Sequence, residues 1–490
     1  MHHGTLTVVT ALRPDAVEDA RRALEELSRA IQARAPHPFR NIPELYFAHW
    51  GIGGDEFREG RPPEAHEDRC LLMGADLRLE HSLRGRKQMR AAVDLLVDRL
   101  AAQPSRLRAM FDALYSHCED YPARGLGSPL LVKHYLLAHA VPYNTRHIDF
   151  AYRVASVEDV RELVALRTRV EECLNEPSRE RWVERSGAEG VLRALRHRLA
   201  PSLSRLSGPV WQHELRAALR TAALTTLAYL PVDVPLRLLL RLKNRFARPR
   251  TTHTGLTVEP DAVREGIEAR QGPVQNSMIL VTAVPEHWLG ALRQRFFMAL
   301  INWRLLRNVV GLNDTRTIHI ARWALFKQGA RRQLLFMVTY DESWEAYMDT
   351  FLDHEDMSTF LKLIWSGSRG FPSGLPFVEP FKRWVRCVQC PTQAHYSAFL
   401  HAGARPQPFA LTDLQEFFAL RRVLSPDSTA RREVAAEQRA LDAFLEQGRL
   451  PYQDKCLSPR QATRLLWEQR HPSPPVSLPT HRSEDHVTAP

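Results

Sequence analysis

The chain has little cysteine, no long apolar run and no recognisable leader. Six cysteines in 490 residues, at positions 70, 118, 173, 387, 390 and 456, are too few and too scattered for a disulfide framework. A reducing compartment is therefore expected. The longest greasy stretch, Thr221 to Leu242, is broken by Pro231, Asp233, Pro235, Arg237 and Arg241, whereas a membrane-spanning helix needs about 20 mainly apolar residues. The start, Met1 to Thr5, runs straight into a strand-like Leu6 to Leu12. No basic segment followed by an apolar one and a small-residue cleavage site precedes it, so the cytoplasm is expected rather than secretion. Hydrophobic residues at 44% and charged residues at 25% sit close to the globular norm, which argues against a disordered, collagenous or fibrous protein.

What is present is a modest positive charge, 67 Lys+Arg against 56 Asp+Glu, or +11. That attracts an anionic surface but falls short of a dedicated nucleic-acid binder, and no nucleic-acid partner is expected. Much of the charge surrounds the greasy stretch, at Arg216, Arg220, Arg237, Arg241, Lys243, Arg245, Arg248 and Arg250. Two readings of Trp211 to Arg250 stay open. It can lie on an anionic membrane surface, such as the inner face of a bacterial inner membrane, or pack on the body of the protein as an amphipathic helix pair with solvated arginines.

Similar words recur along the chain in the same order. Val9-Thr10-Ala11-Leu12 matches Val281-Thr282-Ala283-Val284, and Phe47-Ala48-His49-Trp50 matches Ile320-Ala321-Arg322-Trp323. Arg69 to Met73 pairs with Arg332 to Phe336, Leu114-Tyr115-Ser116 with Ile364-Trp365-Ser366, and Tyr121-Pro122 with Phe371-Pro372. Lys133, Tyr135 and Pro142 pair with Lys382, Trp384 and Pro391 at identical spacing. Such collinearity predicts a tandem duplication. In the second copy the elements read as Met278–Val284 (strand), His287–Asn308 (helix), Thr317–Phe326 and Arg332–Tyr340 (strands), Ser343–Ile364 (helix) and Trp384–Phe399 (strand). The order βαββαβ is that of a ferredoxin-like unit, an antiparallel sheet with both helices on one face. The expected fold is therefore α+β, two ferredoxin-like repeats whose bare sheet faces bury one another, joined by a helical connector. Residues 1–155 form copy 1, 156–272 the connector, 273–425 copy 2, and 426–490 a C-terminal helix and a proline-rich tail. The connector opens with apolar i, i+3, i+4 spacing after Arg161.

Several words resemble those of an uncharacterised bacterial two-copy family: Glu268-Ala-Arg270 with Val274-Gln275-Asn276, Thr317 to Trp323, Tyr340 to Tyr347, Leu114 to Pro122, and Ile364-Trp365-Ser366 with Gly370-Phe371-Pro372. At fold level the arrangement is similar to the dimeric α/β-barrel group, which includes the dye-decolourising peroxidases. That resemblance implies an oxidative enzyme holding haem, although the peroxidase word Gly-x-x-Asp-Gly is missing.

The residues that could carry such chemistry are His319, Arg322 and Asp341, with His319, Trp323 and Trp344 as the cofactor-binding set. Strand alternation places His319 and Arg322, three apart, on opposite faces of one strand, so only one of them meets the space between the sheets. Arg322, among apolar neighbours, needs a partner, and Asp341 is the candidate; the pair is either structural or an anchor for a carboxylate or haem propionate. The first-copy equivalents are Tyr46 and His49, so any site is asymmetric. A small hydrophobic ligand between the sheets is a further expectation.

Other words weigh less. Cys387-Val-Gln-Cys390 lacks the second ligand pair that a zinc site needs, and no metal is expected. Cys118 beside His117 has no visible companion base and reads as part of a loop. Gly53-Gly-Asp-Glu-Phe57 spells the word of diguanylate cyclases and raises a nucleotide-binding alternative, but it lacks their following strand and acidic ligands. Asp353-His354-Glu355-Asp356 reads as a charged helix end. A non-catalytic membrane-surface or partner-binding protein is the alternative to an enzyme, with Trp211–Arg250 and the apolar helix His287–Asn308 as the contact.

Overall fold

The computed structural model describes residues 2–53, 69–175, 195–199, 275–299, 317–353, 364–372 and 378–399, with short gaps inside these ranges. The Gly54–Phe57 part of the cyclase-like word, Trp211–Arg250, most of His287–Asn308, His354–Asp356 and the C-terminal tail lie outside the described residues.

The first half runs β1 (His2–Ala11), α1 (Val17–Gln32), β2 (Leu45–Gly53), β3 (Cys70–Leu79), α2 (Gly85–Ala101), α3 (Ser105–Tyr115), α4 (Pro129–Ala138) and β4 (Tyr143–Ile148). α5 (Val157–Asn175) opens the connector, as the spacing after Arg161 predicts. Its start is a reciprocal cap, in which the Ser156 hydroxyl accepts from the Asp159 N–H (3.0 Å) and the Ser156 N–H donates to the Asp159 carboxylate (2.8 Å). The second half has β5 (Gln275–Ala283), β6 (Ile318–Gln328), β7 (Arg331–Asp341), α6 (Trp344–Asp353), α7 (Val378–Val388), β8 (Gln389–Cys390) and β9 (Thr392–Ser397). Trp384 to Val388, expected as strand, are helical. Phe381, Trp384, Val385 and Val388 recur at i, i+3, i+4 and i+7, and all four are buried.

The chain is an α+β protein with two antiparallel sheets, of order β1-β3-β2-β9 and β4-β6-β7-β5-β8. Each half sends its last strand to the other half's sheet: β4 pairs with β6, and β9 pairs with β2. Before crossing, each segment touches the first strand of its own half. The Val9 N–H donates to the His139 carbonyl (3.1 Å) and the Val141 N–H to the Thr7 carbonyl (2.8 Å), while Cys390 lies opposite Ile279. Local bonding recurs between the halves. Val9 faces Leu72 as Val281 faces Leu335. The Thr10 hydroxyl donates to the Leu71 carbonyl and the Thr282 hydroxyl to the Leu334 carbonyl, each at 3.4 Å.

Apolar residues divide over three layers. One outer layer packs α1 to α5 on the first sheet through Leu24, Leu27, Val93, Leu96, Phe111 and Val160. A second packs α6 and α7 on the other sheet through Trp323, Phe336, Tyr347, Trp365 and Trp384. Cys70, Leu72, Ile279, Val281, Leu335, Met337 and Cys390 fill part of the space between the sheets. The inner layer also holds polar side chains.

Candidate functional site

The polar part of the inner layer holds two hydrogen-bonded groups. In the first, Arg322 of β6 reaches across to the other sheet. Its Nη2 donates to the Asp76 carboxylate at 2.9 Å, with both side chains 1% exposed. Its Nη1 donates to the main-chain carbonyls of Leu6 (3.1 Å) and Ala75 (3.3 Å), and Nη2 also meets His49 Nε2. A guanidinium can only donate, so His49 Nε2 is the acceptor and its Nδ1–H faces Ser277 Oγ at 3.0 Å. The Thr5 hydroxyl donates to the second Asp76 oxygen at 3.2 Å. Arg146 of β4 donates to the His3 carbonyl (3.1 Å) and to Thr5 Oγ1 (3.3 Å) beside this pair.

In the second group, His319 Nε2 lies 2.6 Å from Asp341 Oδ1 and Nδ1 lies 2.5 Å from the Tyr152 hydroxyl. Phe47 of the opposite sheet sits edge-on to the imidazole, 5.7 Å between centroids. His395 of β9 stacks on His49 at 5.8 Å and 10°.

Burial sets the electrostatics. It pulls His49 well below the usual histidine value, and the neighbouring Arg322 and His395 push the same way. His395 is pulled down to about 4 by burial, with His319 adding to it. Asp76 is raised by burial despite the opposing pull of Arg322, and Arg322 is lowered by burial despite Asp76. Tyr152 is raised well above the ordinary phenol value by burial, then by Asp341. Tyr152 thus stays a phenol and donates to His319 Nδ1, and Asp341 accepts from Nε2–H.

The predicted residues are only partly brought together. His319 and Asp341 pair; Arg322 pairs with Asp76, which sequence reasoning missed, and not with Asp341. His319 and Arg322 do not face opposite ways, because the β6–β7 register shifts between Ile318 and Ile320. The shift places an extra residue in β6, breaks the two-residue alternation, and lets both side chains reach the other sheet. β2 has the matching shift between Leu45 and Phe47. Trp323 does not join them: it packs 4.7 Å from Phe336 in the outer layer. Trp344 lies in that layer too, with the Arg386 guanidinium 3.6 Å over its ring. The signal that could have exposed Asp76 is a lone carboxylate inside the apolar run Leu71-Leu-Met-Gly-Ala-Asp76-Leu.

A haem bound through His319 does not fit this arrangement. An axial imidazole must offer a nitrogen lone pair, yet Nδ1 accepts from Tyr152 and Nε2 faces Asp341. Among the described residues no group of three or more His, Cys, Asp or Glu could hold a metal ion. Cys118 is not poised as a nucleophile, since burial pushes its thiol up to about 11. Cys387 lies in the last turn of α7 and Cys390 in β8, both buried and neither in a disulfide. No helix among the described residues is long and apolar enough to cross a membrane. No family model matches the chain, and no curated protein or solved structure is significantly similar to it.

Proposed function

We propose that the chain is a duplicated ferredoxin-like protein whose two units exchange their last strands, and that it works as a non-catalytic binding protein at an anionic membrane surface. One observation carries the reading: His319, Arg322 and Asp341 are 0%, 1% and 2% exposed, with His319 bonded to Asp341 and Tyr152 and Arg322 bonded across to Asp76 of the other sheet. The inner layer is a closed structural network, and binding falls to the outside. The +11 charge and the apolar, basic Trp211–Arg250 segment supply attraction and a surface to bury. Leu130 and Leu131 on α4, at 66% and 53% exposure, together with Leu292 and Phe296, add apolar groups on the outside. The matched register at Val9 and Val281, and the paired threonine bonds, support the duplication.

Flotation with phosphatidylserine-containing vesicles tests this. Binding at low salt that is lost at high salt is expected; absence of binding at low salt contradicts it.

The Tyr152–His319–Asp341 chain favours a second reading, an enzyme in which His319 takes the phenolic proton once the sheets part. Diethylpyrocarbonate labelling separates the two. Protection of His319 in the folded protein supports the closed layer, and rapid modification supports the enzyme.

A further inference from the structure

The collinear words place His49 at the position of Arg322, and by the same alignment Gly74 falls on Met337 and Asp76 on Thr339. The strand registers agree: His49 lies opposite Gly74 as Arg322 lies opposite Met337, and Phe47 opposite Asp76 as Ile320 opposite Thr339. Residues at corresponding positions also touch each other. Arg322 bonds to His49. A methyl group on Gly74 would stand 2.7 Å from Met337 Sδ, from Arg322 Nη2 and from His49 Cδ2. Such self-contacts mark the pseudo-twofold axis between the halves. At that axis the two faces differ. One is small and acidic (His49, Gly74, Asp76), and the other is large and cationic (Arg322, Met337, Thr339).

We infer that the inner faces of the two halves fit each other in one sense only, so that the partner this surface accepts is the unlike half and a like half is rejected. The inference rests on the duplication proposed above. Two faces of the second kind would oppose two guanidiniums with no carboxylate and two methionines with no glycine, which costs both buried charge and overpacking. Two faces of the first kind would leave two carboxylates without a guanidinium and a gap at each glycine. The asymmetry reaches the neighbouring group: His319 and Asp341 occur in the second half, where the first has Tyr46 and Arg78. Among the described residues there is therefore one Tyr–His–Asp group and one cross-sheet Arg–Asp pair, not two of each. The device selects against alternatives by repulsion as well as attraction.

The test uses the full chain. One variant carries His49→Arg, Gly74→Met and Asp76→Thr; a second carries Arg322→His, Met337→Gly and Thr339→Asp; a third carries all six. Each triple is expected to lower the denaturant midpoint sharply, and the sixfold exchange is expected to recover at least half of the loss of the worse triple. A sixfold variant no better than that triple overturns the inference. A milder cycle guards against outright misfolding. Gly74→Ala and Met337→Ala together should cost less than the sum of the two alone, and plain additivity also counts against it. A His147→Cys/Ala321→Cys pair, across the exchanged β4–β6 contact, separates the two failures. Disulfide formation with additive cycles overturns complementarity alone, and no disulfide overturns the exchanged fold with it.

Discussion

Acidification is expected to loosen the chain through the two stacked histidines of the inner layer. His395 titrates near 4 when folded and His49 lies well below the ordinary value, in both cases first because burial disfavours the charged ring. Unfolded, both return to about 6.5. Groups with a depressed folded pKa contribute stability that is present above the unfolded value and lost as pH falls towards the folded one. Between pH 7 and 5 the loss is about 2 kcal/mol for His395, from 1.36 kcal/mol per pKa unit, and His49 adds to it in the same direction. Asp76 runs the other way, since its raised pKa favours the fold fully below the ordinary aspartate value and loses that contribution as pH rises through the folded one. Urea titrations followed by tryptophan fluorescence at half-unit pH steps measure the effect, and His395→Gln should reduce it by about 2 kcal/mol. A stability constant within 1 kcal/mol from pH 7 to 5 would refute the buried-histidine argument.

Three further outcomes follow from single contacts. Gly74→Ala places a methyl group 2.7 Å from three side-chain atoms and should cost about 1–3 kcal/mol, read by chemical denaturation; no loss means the inner layer has room to spare. Tyr152→Phe removes the donor to a fully buried His319 nitrogen and should cost about 1–3 kcal/mol, whereas an unchanged midpoint would show that the hydroxyl is replaceable. Cys118, with its thiol pushed up to about 11 and bonded to Thr10, should resist iodoacetamide at pH 8 until the chain unfolds; stoichiometric labelling of the folded protein would contradict its burial.

The mixed α+β character and the strands around Val9 and Val281 were legible because they rest on local patterns. The Val9 and Val281 segments carry alternation that any strand needs, and they sit in equivalent registers. Four things were not legible. Partner choice for a six-residue strand such as Tyr143–Ile148 is decided by which sheet edge is free, which no local spacing encodes. One added residue at His319 reverses the face of everything before it, so counting by twos gave the wrong orientation. The partner of Arg322 lies 246 residues away on another sheet, and Asp341 was merely the nearest carboxylate in sequence. Trp384 to Val388 were misread because apolar residues ahead of a strand look continuous with it, although their spacing is helical.

One flotation experiment sets binding by the basic outer segment directly against a binding role for the inner layer. The wild type, an Arg237→Glu/Arg241→Glu/Arg245→Glu/Arg248→Glu variant and a His319→Ala variant that remains folded are floated with phosphatidylserine-containing vesicles at low salt. The account predicts that the wild type and His319→Ala float alike while the charge-reversed variant stays behind. Retained binding by the charge-reversed variant, or loss of binding by folded His319→Ala, would contradict it.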